Sequence, residues 1–218
     1  DINVANIWYR KAADQHYAPA HRKLGLMFKN GTGAPKDVRM SVSWLTRAAQ
    51  LNDVEAQYYL GMLYRLDKDI ERDDELAVRW LSEAAWQGHA RAQYNLGLMY
   101  KEGIGVAKDA RESARWYRAA AERGESRAQN NLGKLYVSGQ GVPQDYVMAH
   151  KWFNLAGAGG NKLGARNRDE LAKKLSANQL VEAQILARNW QGRQDRPVDP
   201  LFVAMPGRDS GGSRESSE

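Results

Sequence analysis

His16, His21, His89 and His150 are the only imidazoles among 218 residues, and there is no cysteine. A zinc-binding helix carries its histidines at i and i+4, and no pair here has that spacing. Without cysteine, thiolate zinc sites, disulfides and cysteine nucleophiles are excluded. The serine nucleophile motifs Gly-x-Ser-x-Gly and Ser-x-x-Lys are absent, as is the phosphate-cradling Gly-x-x-x-x-Gly-Lys. Gly31-Thr-Gly33, Gly103-Ile-Gly105 and Gly139-Gln-Gly141 could open a nucleotide fingerprint, but each follows a helical stretch and lacks the third glycine. They read as turns, and so does the sequon Asn30-Gly31-Thr32. No residue is assigned a catalytic, metal-binding or cofactor-binding role, and the chain reads as a non-enzyme.

What recurs instead is spacing. Trp8, Trp44, Trp80, Trp116 and Trp152 are each 36 residues apart. The same period carries Leu24-Gly25, Leu60-Gly61, Leu96-Gly97 and Leu132-Gly133, the aromatic column Phe28, Tyr64, Tyr100 and Tyr136, and the alanines Ala20, Ala56, Ala92 and Ala128. A column this strict, set within apolar stripes, is core and not a ligand cage. Within one period, Ala92, Leu96, Met99 and Tyr100 fall at i, i+4, i+7 and i+8, and Ala114, Trp116, Tyr117, Ala120 and Ala121 outline a second stripe. Each period is therefore two amphipathic helices. The Gly-x-Gly turns end the first helix, Asp37, Asp73, Asp109 and Asp145 stand where the second needs an N-cap, and Gly88 and Gly124 end the second. The glycine of each Leu-Gly pair lies inside a helix at a cost of about 1 kcal/mol against alanine, which implies close helix approach. We expect the indole of the neighbouring second helix to fill the space.

Composition agrees with a thin, extended stack. The chain is 43% hydrophobic and 27% charged, with three Phe and a mean hydropathy of -0.68. No apolar run is long enough to span a bilayer, so no membrane insertion is expected. The net charge of +6 and pI near 9.5 favour acidic partners, although 32 basic and 26 acidic residues interleave along the helices.

The pattern Ala92-Gln93-x-x-Leu96-Gly97-x-x-Tyr100-x-x-Gly103-x-Gly105-Val106-x-x-Asp109, then Ala114-x-Trp116-Tyr117-x-x-Ala120-Ala121-x-x-Gly124, resembles the Sel-one-like repeats, relatives of the tetratricopeptide repeat. The resemblance covers residues 1 to about 175. It implies an all-α, right-handed α/α solenoid (superhelix) of 36-residue helix-turn-helix repeats: a half repeat at 1–16, four full repeats at about 17–160, and a degenerate final helix at 161–175. Two departures stand out. Asp67 and Asp69 replace both turn glycines in the second full repeat, which requires aspartate to occupy left-handed backbone at some cost. Ala165-Arg166-Asn167-Arg168 replaces the expected Leu-Gly register, so the array is ending. Ser176-Ala-Asn-Gln179 has capping-box spacing and opens a C-terminal capping helix, 176–190, with Leu180, Ala183, Gln184, Ala187 and Trp190 on one side. Residues 191–218, rich in proline, glycine and serine, read as a disordered tail in which Leu201-Phe202-Val203 is a candidate docking motif.

In tetratricopeptide relatives the first helices line the concave surface, and positions that vary between copies carry recognition. Two residues before the repeated Leu stand Arg22, Tyr58, Tyr94 and Asn130. One residue before it stand Lys23, Tyr59, Asn95 and Asn131, and one turn further on are Lys29, Arg65 and Lys101. This Tyr, Arg, Lys and Asn mixture suits an extended, somewhat acidic protein or peptide segment; an ordinary solvated helix face is the alternative. The resemblance implies a non-catalytic protein–protein interaction scaffold, part of a bacterial signalling, secretion or cell-envelope assembly. A binder of an acidic polymer, either envelope polysaccharide or nucleic acid, is the other reading, with nucleic acid the weaker of the two. The chain opens at Asp1, partway through a helix pair. We therefore expect that a signal peptide or further repeats preceded it, and that the apolar face around Trp8 is covered by upstream sequence or by a second copy. A periplasmic or secreted location is expected, with cytoplasmic as the alternative.

Overall fold

The computed structural model describes residues 2–191, with side chains from 4 to 190. Among the described residues there are eleven helices and no strand. The second helices of successive pairs are α1 (Ile2–Ala13), α3 (Val38–Gln50), α5 (Asp74–Trp86), α7 (Ala110–Glu122) and α9 (Tyr146–Ala158). The first helices are α2 (Ala18–Asn30), α4 (Val54–Leu66), α6 (Ala90–Glu102), α8 (Ser126–Ser138) and α10 (Lys162–Ala172), and α11 (Ala177–Gln191) closes the chain. Helices pack on their chain neighbours, while α10 also meets α8 and α11 lies on α9, so the array is an α/α solenoid with a capping helix.

From α3 onward each helix starts where the sequence supplies an acceptor. The carboxylates of Asp37, Asp73, Asp109 and Asp145 accept the N–H of Met40, Leu76, Glu112 and Met148 at 2.9, 2.8, 3.1 and 2.9 Å. Four of the five first helices are capped too, by Asp53, His89, Glu125 and Asn161, a column that carried no signal in the consensus, while Tyr17 before α2 makes no side-chain cap. Three buried glutamines then tie α4, α6 and α8 to the end of the preceding second helix. Gln57, Gln93 and Gln129 donate through Nε2 to the carbonyls of Ala49, Ala85 and Ala121 at 3.3, 3.0 and 3.1 Å. These bonds add a second donor to carbonyls that also accept the N–H of Asn52, Gly88 and Gly124 in the turn.

The Gly-x-Gly turns are left-handed as expected, with φ between 63° and 74° at all six glycines. The Asp67–Asp69 turn differs from its expectation. Asp67 leaves the helix in extended backbone (φ -76°, ψ 141°), and its carboxylate accepts the N–H of Asp69 at 3.0 Å. The aspartates reroute the turn and avoid left-handed backbone, where a Cβ is penalised. The second helices end on a left-handed column, His16 (φ 58°), Asn52 (64°), Gly88 (88°), Gly124 (82°) and Gly160 (82°), which extends the expected Gly88 and Gly124 to both ends of the array.

The space beside the Leu-Gly glycines is also filled differently from the expectation. A Cβ on Gly25, Gly61, Gly97 or Gly133 would lie 2.7, 2.5, 2.5 or 2.6 Å from Leu45, Leu81, Tyr117 or Phe153. The residue after each tryptophan, and not the indole, fills the gap. The tryptophans turn instead toward the preceding pair: Trp44 packs on Ala13, Ala20 and Leu24, Trp80 on Leu45 and Leu60, and Trp116 on Ala77, Leu81 and Leu96. Trp116 and Trp152 are 4% and 2% exposed, whereas Trp8, with no pair before it among the described residues, is 63% exposed.

The end of the array follows the capping-box reading. Ser176 N–H donates to Gln179 Oε1 at 2.9 Å, and Gln179 N–H to Ser176 Oγ at 3.3 Å. Ala183 and Ala187 of α11 are buried, and Trp190 meets Trp152 edge-on at 6.1 Å. Leu201-Phe202-Val203 lies outside the described residues.

Candidate functional site

Successive first helices stand side by side, and the residues singled out in the sequence lie along the seam. Most of them touch the next repeat. Arg22 pairs with the N-cap Asp53 of the following first helix at 3.0 Å. One repeat on, Tyr58 stacks on the N-cap His89 with ring centres 4.5 Å apart. In the next, the Arg127 guanidinium lies 4.6 Å over the Tyr94 ring and is bound by the N-cap Glu125 at 2.8 and 3.3 Å. In the last, Asn167 donates to Asn130 Oδ1 at 2.7 Å. One chemical position is thus rebuilt as an ion pair, a ring stack, a cation–π contact and an amide–amide hydrogen bond.

A second set of contacts runs beside the first. Lys29 Nζ lies 5.8 Å over the Tyr59 ring, and Arg65 Nη1 donates to Asn95 Oδ1 at 3.0 Å. Asn95 also donates to the Arg91 carbonyl at 2.7 Å. Asn95 and Asn130 are buried, Tyr58, Tyr59, Tyr94 and Asn131 are half-buried, and Lys23 and Lys101 are exposed. Lys101 pairs with its neighbour Glu102 at 2.7 Å, and Asn131 faces Tyr117 across the seam. The structure therefore joins nine of the eleven residues to a neighbouring repeat or to its core, and leaves Lys23 and Lys101 outside that network.

The electrostatics follow from partial burial. Desolvation raises the phenol pKa of Tyr58 and of Tyr117, so both stay protonated at neutral pH. Burial works against ionisation of Glu125, but the Arg127 hydrogen bonds and charge outweigh it and hold the carboxyl below its usual range. His89 accepts the Ala92 N–H on Nδ1 at 3.1 Å and meets Glu55 through Nε2 at 3.1 Å. Those two bonds together require the neutral Nε2–H tautomer. Among the described residues no group of three or more histidines and carboxylates is placed to hold a metal. No helix among them is long and apolar enough to cross a membrane.

The seam partners Asp53, His89, Glu125, Arg127 and Asn167 were not singled out in the sequence. Four N-caps at a 36-residue interval, Asp53, His89, Glu125 and Asn161, were the available signal, hidden because four different residue types fill one position.

The Sel1 repeat family model matches residues 1–17, 18–53, 54–89, 90–125 and 126–161. The chain belongs to the Sel1 repeat family. Sel1 repeat proteins generally act as protein-interaction scaffolds and are typically non-catalytic. A comparison with curated proteins gave no match. Among solved structures, a protective antigen of uropathogenic Escherichia coli strains with an SLR fold is 37% identical, with a TM-score of 0.78. The match covers 92% of this chain and 42% of that one. A Sel1 repeat protein from Oxalobacter formigenes is 29% identical with a TM-score of 0.70, over 90% of this chain and 78% of its own.

Proposed function

We propose that this Sel1 repeat chain is a non-catalytic scaffold that takes an extended, acidic protein segment along the row of first helices. The observation that supports it is the seam itself: half-buried tyrosines and ordered arginines, fixed by neighbours and open on one side, run across four repeats. Such pre-ordered aromatic and basic side chains lose little entropy when a partner docks. Pairing also favours a protein over an acidic polymer. Arg22, Arg127 and Lys101 are already matched by Asp53, Glu125 and Glu102, which leaves fewer free cations to displace polymer counterions.

The test uses exposed cations, because Arg22, Tyr58 and Tyr94 hold repeats together. Affinity capture is compared for the wild-type chain and for Lys23→Glu/Arg91→Glu/Lys101→Glu, both verified by circular dichroism. Loss of a discrete protein with the folded variant supports the row; equal recovery overturns it. We further propose a periplasmic or secreted setting, supported by the relative described as a protective antigen. Osmotic-shock fractionation of a bacterial host tests it, with recovery in the cytoplasmic fraction as the opposing result.

A further inference from the structure

The residue column that starts at Lys29 loses its basic side chain at the last repeat. Lys29, Arg65 and Lys101 give way to Val137 at the fourth copy of the position, and Asn167 takes the place held by Tyr59, Asn95 and Asn131. A cleft of about 300 Å³ opens there between α8 and α10. Its floor is apolar, formed by Val137, Phe153 and Leu171, of which Phe153 and Leu171 are 3% and 5% exposed. Asn167, whose amide is engaged by Asn130, closes one end.

The rim carries two cations. Lys134 and Lys174 both line the cleft, and neither has a carboxylate partner among the described residues. The carboxylate at the rim, Glu170, is already bound to Lys173 at 3.0 Å. The cleft thus has room for one bulky side chain, a dry floor and a net positive edge. Elsewhere on the seam Arg22 and Arg127 are matched by carboxylates within the fold.

We propose that this cleft anchors a partner peptide presenting one bulky apolar side chain between acidic residues. The side chain packs on Val137, Phe153 and Leu171, and the flanking carboxylates meet Lys134 and Lys174. The proposal rests on the first-helix row as the partner-binding face and adds the point that fixes the partner's register.

Calorimetric titration of the full chain with three synthetic hexapeptides tests it: phenylalanine flanked by aspartates, alanine in the same frame, and phenylalanine flanked by lysines. The first is expected to bind about tenfold or more tighter than the other two. Val137→Lys restores the basic residue that other repeats carry at Lys29 and Lys101, and is expected to weaken the first peptide about tenfold while leaving the circular dichroism unchanged. Lys134→Glu/Lys174→Glu, which replaces two exposed side chains, is expected to do the same. Equal affinities for the alanine peptide, or for both variants, overturn the anchor. So does sedimentation showing a dimer that Val137→Lys dissociates, since the occupant is then a second copy. Lys23→Glu/Arg91→Glu/Lys101→Glu is expected to leave hexapeptide affinity unchanged. Partner capture that is lost in that variant but kept in both cleft variants overturns the anchor and leaves the scaffold reading standing.

Discussion

Trp116 and Trp8 occupy the same position of the repeat and have opposite surroundings. Trp116 reaches back onto Ala77, Leu81 and Leu96 and is 4% exposed, while Trp8 is 63% exposed. Trp116→Ala is therefore expected to cost about 3–5 kcal/mol, and Trp8→Ala only about 0.5 kcal/mol, by urea denaturation. Comparable losses at both positions would mean that Trp8 is covered in solution. Gly97 makes a second test. A methyl there would sit 2.5 Å from the buried Tyr117 ring, so Gly97→Ala is expected to destabilise by about 1–2 kcal/mol despite its better helix propensity, read from the same titration. The tryptophan column was legible because period and residue type coincide. Which neighbour fills the glycine gap was not, because Trp116 and Tyr117 are consecutive on one helix and the crossing angle decides which of them points back.

Helix ends show where a consensus hides information. The turn after each second helix is left-handed at His16, Asn52, Gly88, Gly124 and Gly160, so the conformation repeats while the residue does not. A histidine pays for left-handed backbone that glycine adopts freely. His16→Gly is expected to stabilise the N-terminal pair by about 0.5–1 kcal/mol, seen as a raised thermal midpoint; a lowered one would mean that the exposed imidazole holds the turn. His150 tests a buried position on α9. Burial and the Arg168 charge push its imidazole below the usual value of 6.5, with Asp169 opposing. The folded state therefore resists a proton that the unfolded chain accepts near pH 6.5, so stability is held above that pH and declines below it. The preceding copies of this position are Val42, Val78 and Ala114. His150→Val is expected to flatten the fall in urea midpoint between pH 7.5 and pH 5, and an unchanged slope would assign that fall to other groups. The seam was only half legible for a related reason. Variation read down one column marked Arg22, Tyr58 and Tyr94 as recognition residues, but their contacts run to the start of the next first helix, to the N-caps Asp53 and His89 and to Arg127 two residues past its N-cap.

A stack whose helices meet mainly their chain neighbours distributes its stability along one axis. Interior pairs are held from both sides. Trp116 packs backwards onto α5 and α6, Tyr117 fills the gap at Gly97, Gln129 ties α8 to α7, and Trp152 and Trp190 close the C-terminal end. α1 has partners on one side only among the described residues, and Val4, Ile7 and Trp8 remain 48%, 55% and 63% exposed. Opening α1 therefore exposes little new apolar surface, whereas opening α7 breaks contacts in both directions. Hydrogen exchange is expected to show a gradient, with amides of α1 and α2 exchanging through local opening and those of α6 to α9 slowest, near the global unfolding limit. Val137→Lys should leave that gradient intact, because it replaces a cleft residue by one that other repeats accommodate. Slowest amides spread evenly from α1 to α9 would make the stack a single cooperative unit. Nearest-neighbour contacts would then be an insufficient account of its stability, and covering of the α1 face by another copy would become the first explanation to examine by sedimentation.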